Sequence, residues 1–249
     1  MRIFGILMAC ATLIGAQEEA TDGEEAEKVP KRSVRLLAVG NAPPYRQEVR
    51  DGIRYELPPP PGSVPPRELT LVRQNEEEIQ ELGAFRVQLG RISGALEIRE
   101  GVGTLQLRGE GGVPWASVNC PESGDFMVLL WRDPAVGDWS KPRMKIVEDP
   151  REAGTVRFLN VSRQAVALVV DGRRRALRPL QGWVTELGGA EPVSFQLGLV
   201  GADGGLEREM SVALEQSADE STLVIVSDAD GQRARRPLKI TRLRERVRE

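Results

Sequence analysis

The chain has 249 residues, with 34 Lys and Arg against 37 Asp and Glu, and no histidine. That length suits one large domain or two of about 100 residues, each able to bury a core. The missing histidine excludes Ser-His-Asp and Cys-His nucleophiles and histidine metal ligands, and a net charge of −3 gives no general attraction to nucleic acid.

Arg2 is followed by an apolar run, Ile3 to Ala16, that ends in small residues. One positive charge, a short apolar core and a small-residue end describe a secretory signal peptide over residues 1–16. The run is too short for a bilayer-spanning helix, which needs about 20 residues, so no integral membrane span is expected. Within it, Leu7-Met8-Ala9-Cys10 resembles the lipobox of bacterial lipoproteins, which implies a lipid anchor on Cys10. The alternative is that Cys10 leaves with the signal peptide. Cys120, between Asn119 and Pro121, is then the lone thiol, expected to lie buried at a strand end, with intermolecular pairing as its other use. Residues 17–32 read as an acidic, disordered spacer, since six acids from Glu18 to Glu27 are opposed by Lys28 before residue 30. The expected location is secreted or periplasmic, in a bacterial envelope.

Past the spacer the chain reads as strands. Ile53, Tyr55 and Leu57 alternate with Arg54 and Glu56, one face in and one face out, after the turn signal Asp51-Gly52. Pro58-Pro59-Pro60-Pro61 must be an extended connection or an edge, because proline cannot donate to a sheet ladder. Asn75 to Leu82 carries helix signals: Asn75 as a cap, Glu78 three residues on, and Gly83 as a terminator. Phe85-Val87-Leu89, Leu96-Ile98, Leu105-Leu107, Phe126-Val128-Leu130 and Phe195-Leu197-Leu199 keep a period of two. A polar linker spans Glu148 to Gly154.

The same signals recur in order. Val34-Arg35-Leu36-Leu37-Ala38-Val39 is echoed by Val156-Arg157-Phe158-Leu159-Asn160-Val161, and Asp51-Gly52 by Asp171-Gly172. Glu81-Leu82-Gly83 and Gln88-Leu89-Gly90 are echoed by Glu186-Leu187-Gly188 and Gln196-Leu197-Gly198. Met127 to Leu130 and Pro142 to Ile146 are echoed by Leu223 to Val226 and Pro237 to Ile240. The expected fold is therefore all-β: two tandem immunoglobulin-like β-sandwiches, 33–148 and 155–243, from an internal duplication. Val156 to Ser162 followed by Val166 to Gly172 is similar to the opening of a bacterial secreted β-sandwich domain family of unknown function, over about residues 155–200. The resemblance implies an immunoglobulin-like domain of the cell envelope and brings no catalytic residues with it.

Few residues point to chemistry. Asp133 to Asp138 and Asp228-Ala229-Asp230-Gly231 offer oxygens for calcium, but Asp and Gly favour turns for their own reasons. Glu76-Glu77-Glu78 and the scattered acids lack any motif for a glycosidase pair. Of Trp115, Trp131, Trp139 and Trp183, the candidates for ligand contact are Trp139, in a loop between Asp138 and Ser140, and Trp183. Residues 232–249 hold eight bases and two acids, read as a final strand with a solvated face rather than a nucleic-acid surface. Asn160-Val161-Ser162 fits a glycosylation acceptor but falls inside an expected strand. No catalytic, cofactor or metal site is expected. The expected role is an exported, non-enzymatic structural or interaction protein with an unidentified protein or polysaccharide partner. A carbohydrate-binding accessory module and a carboxylate hydrolase are the alternatives.

Overall fold

A computed structural model describes residues 31–74, 78–99, 101, 103–133, 136–187, 193–201, 205–229 and 236–247. The expected signal peptide with Cys10, the spacer as far as residue 30, Asn75 to Glu77, and Asp230-Gly231 lie outside these residues.

The fold is all-β, as the period-two runs require. The first ten strands are β1 (Lys31–Val39), β2 (Gln47–Arg50), β3 (Ile53–Glu56), β4 (Glu68–Gln74), β5 (Ile79–Arg86), β6 (Leu96–Arg99), β7 (Thr104–Arg108), β8 (Pro114–Asn119), β9 (Phe126–Arg132) and β10 (Pro142–Glu148). After the linker come β11 (Thr155–Asn160), β12 (Val166–Val170), β13 (Arg173–Leu177), β14 (Gly182–Glu186), β15 (Val193–Val200), β16 (Leu206–Leu214), β17 (Glu220–Asp228) and β18 (Leu238–Arg246). They build four four-stranded sheets and one two-stranded hairpin, β2-β3. In the first half the sheets are β10-β9-β1-β6 and β5-β4-β7-β8; in the second they are β14-β11-β17-β18 and β13-β12-β15-β16.

Strand order coincides in the two halves once β2-β3 is set aside. In each, the first strand pairs parallel with the penultimate one, β1 with β9 and β11 with β17. In each, that first strand also pairs antiparallel with a short strand, β6 or β14. The equivalents of β12-β13 are therefore β4-β5, which corrects the matches read from the middle of the sequence. Asp51-Gly52 belongs to the extra hairpin, Glu81-Leu82-Gly83 lies in β5 whereas Glu186-Leu187 closes β14, and Gln88-Leu89-Gly90 follows β5 whereas Gln196-Leu197-Gly198 lies in β15. Short turn and strand signals recur wherever hairpins recur, so they match without being topologically equivalent.

Side-chain alternation stacks the four sheets. Val34, Leu36 and Ala38 of β1, with Phe126, Val128 and Leu130 of β9, face the β5-β4-β7-β8 sheet and bury Leu69, Leu71, Leu105 and Leu107 with it. Val156, Phe158, Val224 and Val226 face the outer sheet of the second half in the same way. The intervening residues, Leu37, Val39, Met127, Leu129 and Trp131, meet Leu159, Val161 and Ile225 across the midplane. Both central sheets are thus covered on both faces, which is why their strands read as unbroken apolar runs. Arg35 lies in this midplane, 4% exposed. It donates from Nε and Nη2 to both oxygens of Asp149, at 2.6 and 2.7 Å, and also contacts Glu245. Burial works against its charge, but these hydrogen bonds more than offset that and hold its pKa above the ordinary arginine value.

Three further expectations are corrected. The helix signalled from Asn75 is, where described, strand β5 paired with β4. Gly83, at φ +147°, sits at a bulge where the register shifts between Leu71 and Val72, so it serves the strand rather than a helix terminus. Lys31 and Arg32, assigned to the spacer, already belong to β1, and Arg32 is buried. β18 runs to Arg246, beyond the expected boundary at 243.

Candidate interaction site

The segment between β1 and β4, residues 40–67, has no strand counterpart in the second half, where a short turn links β11 to β12. Asp51 and Gly52, at φ +51° and +76°, make the two-residue turn of the β2-β3 hairpin, which positive φ at both centres allows. Leu57 N–H donates to the Arg46 carbonyl at 2.9 Å and closes the hairpin's base. The sequence pattern suggested one buried face, but no sheet lies against either side. Tyr45, Val49, Ile53 and Tyr55 are 68, 59, 57 and 47% exposed. Ile53 and Tyr55 share one face of the hairpin, while Val49, opposite Arg54, lies on the other; adjacent exposed apolar residues such as the first pair mark an interaction surface more often than singly scattered ones do.

The proline run then turns back at Gly62, φ +73°, and is fastened to the core by Trp139 N–H donating to the Gly62 carbonyl at 2.8 Å. Between this loop and the strand pair β4-β5 opens a cleft of about 600 Å³. Its apolar wall is Pro59, Val64, Pro65, Val87 and Leu89; its polar rim is Arg67, Glu68, Arg86 and Gln88. Glu68 and Arg86 face each other across the β4-β5 ladder. Among the described residues neither the Arg67 nor the Arg86 guanidinium has a hydrogen-bond or ion-pair partner. Arg91 adds a third positive charge beside the rim, its Nη1 donating to Gln88 Oε1 at 3.4 Å. The cleft is therefore cationic over an aliphatic floor, a surface suited to a carboxylate attached to an apolar group.

The residues singled out in the sequence lie elsewhere. Trp139 is 2% exposed and stacks on Trp115 with ring centroids 6.5 Å apart, so its ring is core rather than ligand platform. Trp115 donates from Nε1 to the Trp139 carbonyl at 2.8 Å. Trp183 is half-buried and stacks on Phe158 at 5.7 Å. Cys120 is partly buried, packed against the edge of the first core with the Arg32 guanidinium against its sulfur. Arg32 also donates to the Pro121 and Gly101 carbonyls and lies over the Phe126 ring, clamping β1 to the loop after β8. The acidic turns hold themselves. Asp138 accepts from the Ser140 hydroxyl and amide, which lowers its pKa, while Asp133 pairs with Arg143 and Asp228 with Arg163. Among the described residues no three Cys, Asp or Glu side chains converge as metal ligands. Asn160 is fully buried, so its acceptor motif is structural. The cleft had a partial signal in the sequence: the proline run marked one wall, but nothing local to Arg67 or Arg86 distinguishes them from other strand-end arginines.

No helix among the described residues is long and apolar enough to cross a membrane. No family model matches the chain, and no curated protein is similar to it. Among solved structures, a Bacteroides ovatus protein provisionally assigned to cell adhesion aligns over 88% of this chain and 99% of its own, at 8% identity and a TM-score of 0.22. At those values the two chains share at most a distant, fold-level resemblance.

Proposed function

We propose that the chain is an exported, non-catalytic interaction protein of the cell envelope, built from two copies of one immunoglobulin-like β-sandwich. Its first copy would recognise a protein partner through an acidic, aliphatic segment. The carrying observation is the cleft, where Arg67 and Arg86 stand unpaired above Val64, Pro65, Val87 and Leu89. Two guanidinium groups with one acid, Glu68, beside them and no ion pair formed among the described residues favour a ligand that brings carboxylates, and the aliphatic wall favours branched side chains between them. Two observations weigh against the alternatives. Glu68 is the single acid of the lining, whereas glycoside hydrolysis needs two, and none of the four tryptophans lines the cleft as a sugar platform would require. Export is supported by the residue 1–16 pattern, and duplication by the shared strand order.

Titration calorimetry with acetyl-Gly-Val-Glu-Leu-Asp, against its Gln/Asn analogue, tests the reading. The acidic peptide should bind, and each of Arg67→Ala and Arg86→Ala should weaken it about tenfold, the worth of one charge-assisted hydrogen bond. Equal binding of the neutral analogue, or indifference to both substitutions, would refute it.

A further inference from the structure

The cleft leaves the β2-β3 arm without a role, and its outer strand has an order that complements itself. Arg50 pairs with Ile53 across the turn, and Glu48 with Tyr55. With Leu57 donating to Arg46, residues 53, 55 and 57 spend their backbone groups on β2. Antiparallel geometry then turns the N–H and C=O groups of Arg54 and Glu56 outward. Among the described residues β3 pairs with no strand except β2. Side chains divide the same way: Ile53, Tyr55 and Leu57 share one face, Arg54 and Glu56 the other. The strand reads apolar, plus, apolar, minus, apolar, and keeps that chemistry when reversed end to end with the charges exchanged.

We infer that β3 pairs antiparallel with β3 of a second copy of this chain, about a two-fold axis through Tyr55. In that register Arg54 of each copy lies opposite Glu56 of the other, and each such pair exchanges both of its outward backbone hydrogen bonds. Tyr55 meets Tyr55 of the second copy in the closer, non-hydrogen-bonded position, and Ile53 meets Leu57 on either side, which joins the two exposed apolar faces into one stripe. An isologous contact of this kind closes on itself. Pro58 has no N–H to extend the ladder, and the strands left at the rim, β2, carry the charged Glu48 and Arg50, which discourages further addition. The occupant follows from the strand's own order, since one sequence supplies both charge complementarity and face matching. The interface is small and the association correspondingly weak. It does not depend on what the cleft binds.

Sedimentation equilibrium of the full chain up to about 0.5 mM, a range that reaches millimolar dissociation constants, tests this. The wild type should show a monomer–dimer equilibrium. Arg54→Glu alone places like charges opposite each other twice and should weaken dimerisation roughly tenfold, and Arg54→Glu with Glu56→Arg should restore it. Unchanged circular dichroism would show that these solvent-exposed substitutions leave the fold intact. Independently, Tyr55→Cys in a chain with Cys10→Ser and Cys120→Ser should oxidise to a covalent dimer. Ile53→Cys in the same background should not, because its two copies lie too far apart for a disulfide. A wild type that stays monomeric throughout, a dimer indifferent to Arg54→Glu, failure of the charge swap to restore it, or equal cross-linking at positions 53 and 55 would each overturn the proposal.

Discussion

Asn160 shows how much one buried polar side chain can organise. Its amide donates to the carbonyls of Gln164 and Leu177 at 2.8 and 2.9 Å, and its oxygen accepts from the Ser162 amide and hydroxyl. The end of β11 is thereby tied to the turn before β12 and to the end of β13, with every hydrogen-bonding capacity used. This gives the Asn-x-Ser pattern of the opening strand its physical meaning, and burial explains why it is not a glycan acceptor. The first half keeps the backbone part of this arrangement, Gly90 N–H donating to the Ala38 carbonyl as Leu180 N–H does to that of Asn160, and its side-chain tie is instead Ser93 Oγ, which accepts from Leu36 N–H. Asn160→Ala strands the buried Leu177 carbonyl and the buried Ser162 amide and should lower stability by about 3 kcal/mol, whereas Ser162→Ala, which leaves the Asn160 oxygen its amide donor, should cost about 1 kcal/mol. Urea denaturation midpoints of the two variants check the ratio; equal losses would count against the network.

At the level of elements, what could be read depended on how local the signal was. Both Asp-Gly pairs are two-residue hairpin turns, because positive φ at successive centres is a local demand that the two residues themselves meet. β1, β9, β11 and β17 match between halves because they are the central, doubly covered strands whose composition is dictated by burial, whereas β10 and β18 are edge strands of the same sheets that share a proline at or just before their start. The segments between them were misaligned, since an inserted hairpin carries the same turn signal as the strands it displaces. Gly83 illustrates a signal with two readings. A glycine after an acidic, cap-like stretch ends a helix, but here it relieves a bulge in β5, and a Cβ built there would come within 2.6 Å of Leu96 Cδ1. Leu96 can partly swing aside, but the φ of +147° cannot be relieved without losing the bulge. Gly83→Ala should therefore cost about 2 kcal/mol, more than Gly52→Ala, whose positive φ is unaccompanied by any contact. Thermal midpoints of the two variants measured side by side provide the check. The cleft was the least legible part, because Arg67 and Arg86 gain their significance from a loop folded over them and not from any spacing in the sequence.

Across the whole molecule, the question is whether the halves behave as two proteins or one. The apolar runs Leu36 to Val39 and Met127 to Trp131 already hold the answer in outline, because a sandwich strand covered on one face needs to be apolar only at alternate positions. Leu37, Leu129 and Ile225 are fully buried although they point away from their own sandwich cores, so each half hides an apolar face that it would expose alone. Arg35 links three segments through the same layer, with β1 supplying the cation and the linker and β18 supplying Asp149 and Glu245. Lys239 adds a contact at the far end, donating to the Gly40 carbonyl at 2.7 Å. The apolar layer should couple the two unfolding equilibria, and calorimetry of the wild type should show one transition whose van't Hoff and calorimetric enthalpies agree. Ile225→Asp buries an unpaired carboxylate in the layer while leaving both sandwich cores untouched, so it should divide that peak into two. Arg35→Leu leaves Asp149 buried without its partner and should destabilise the layer by about 3–5 kcal/mol. Two resolved transitions in the wild type, or a single unshifted peak in Ile225→Asp, would mean that the midplane contact contributes little and that each half is stable by its own core alone.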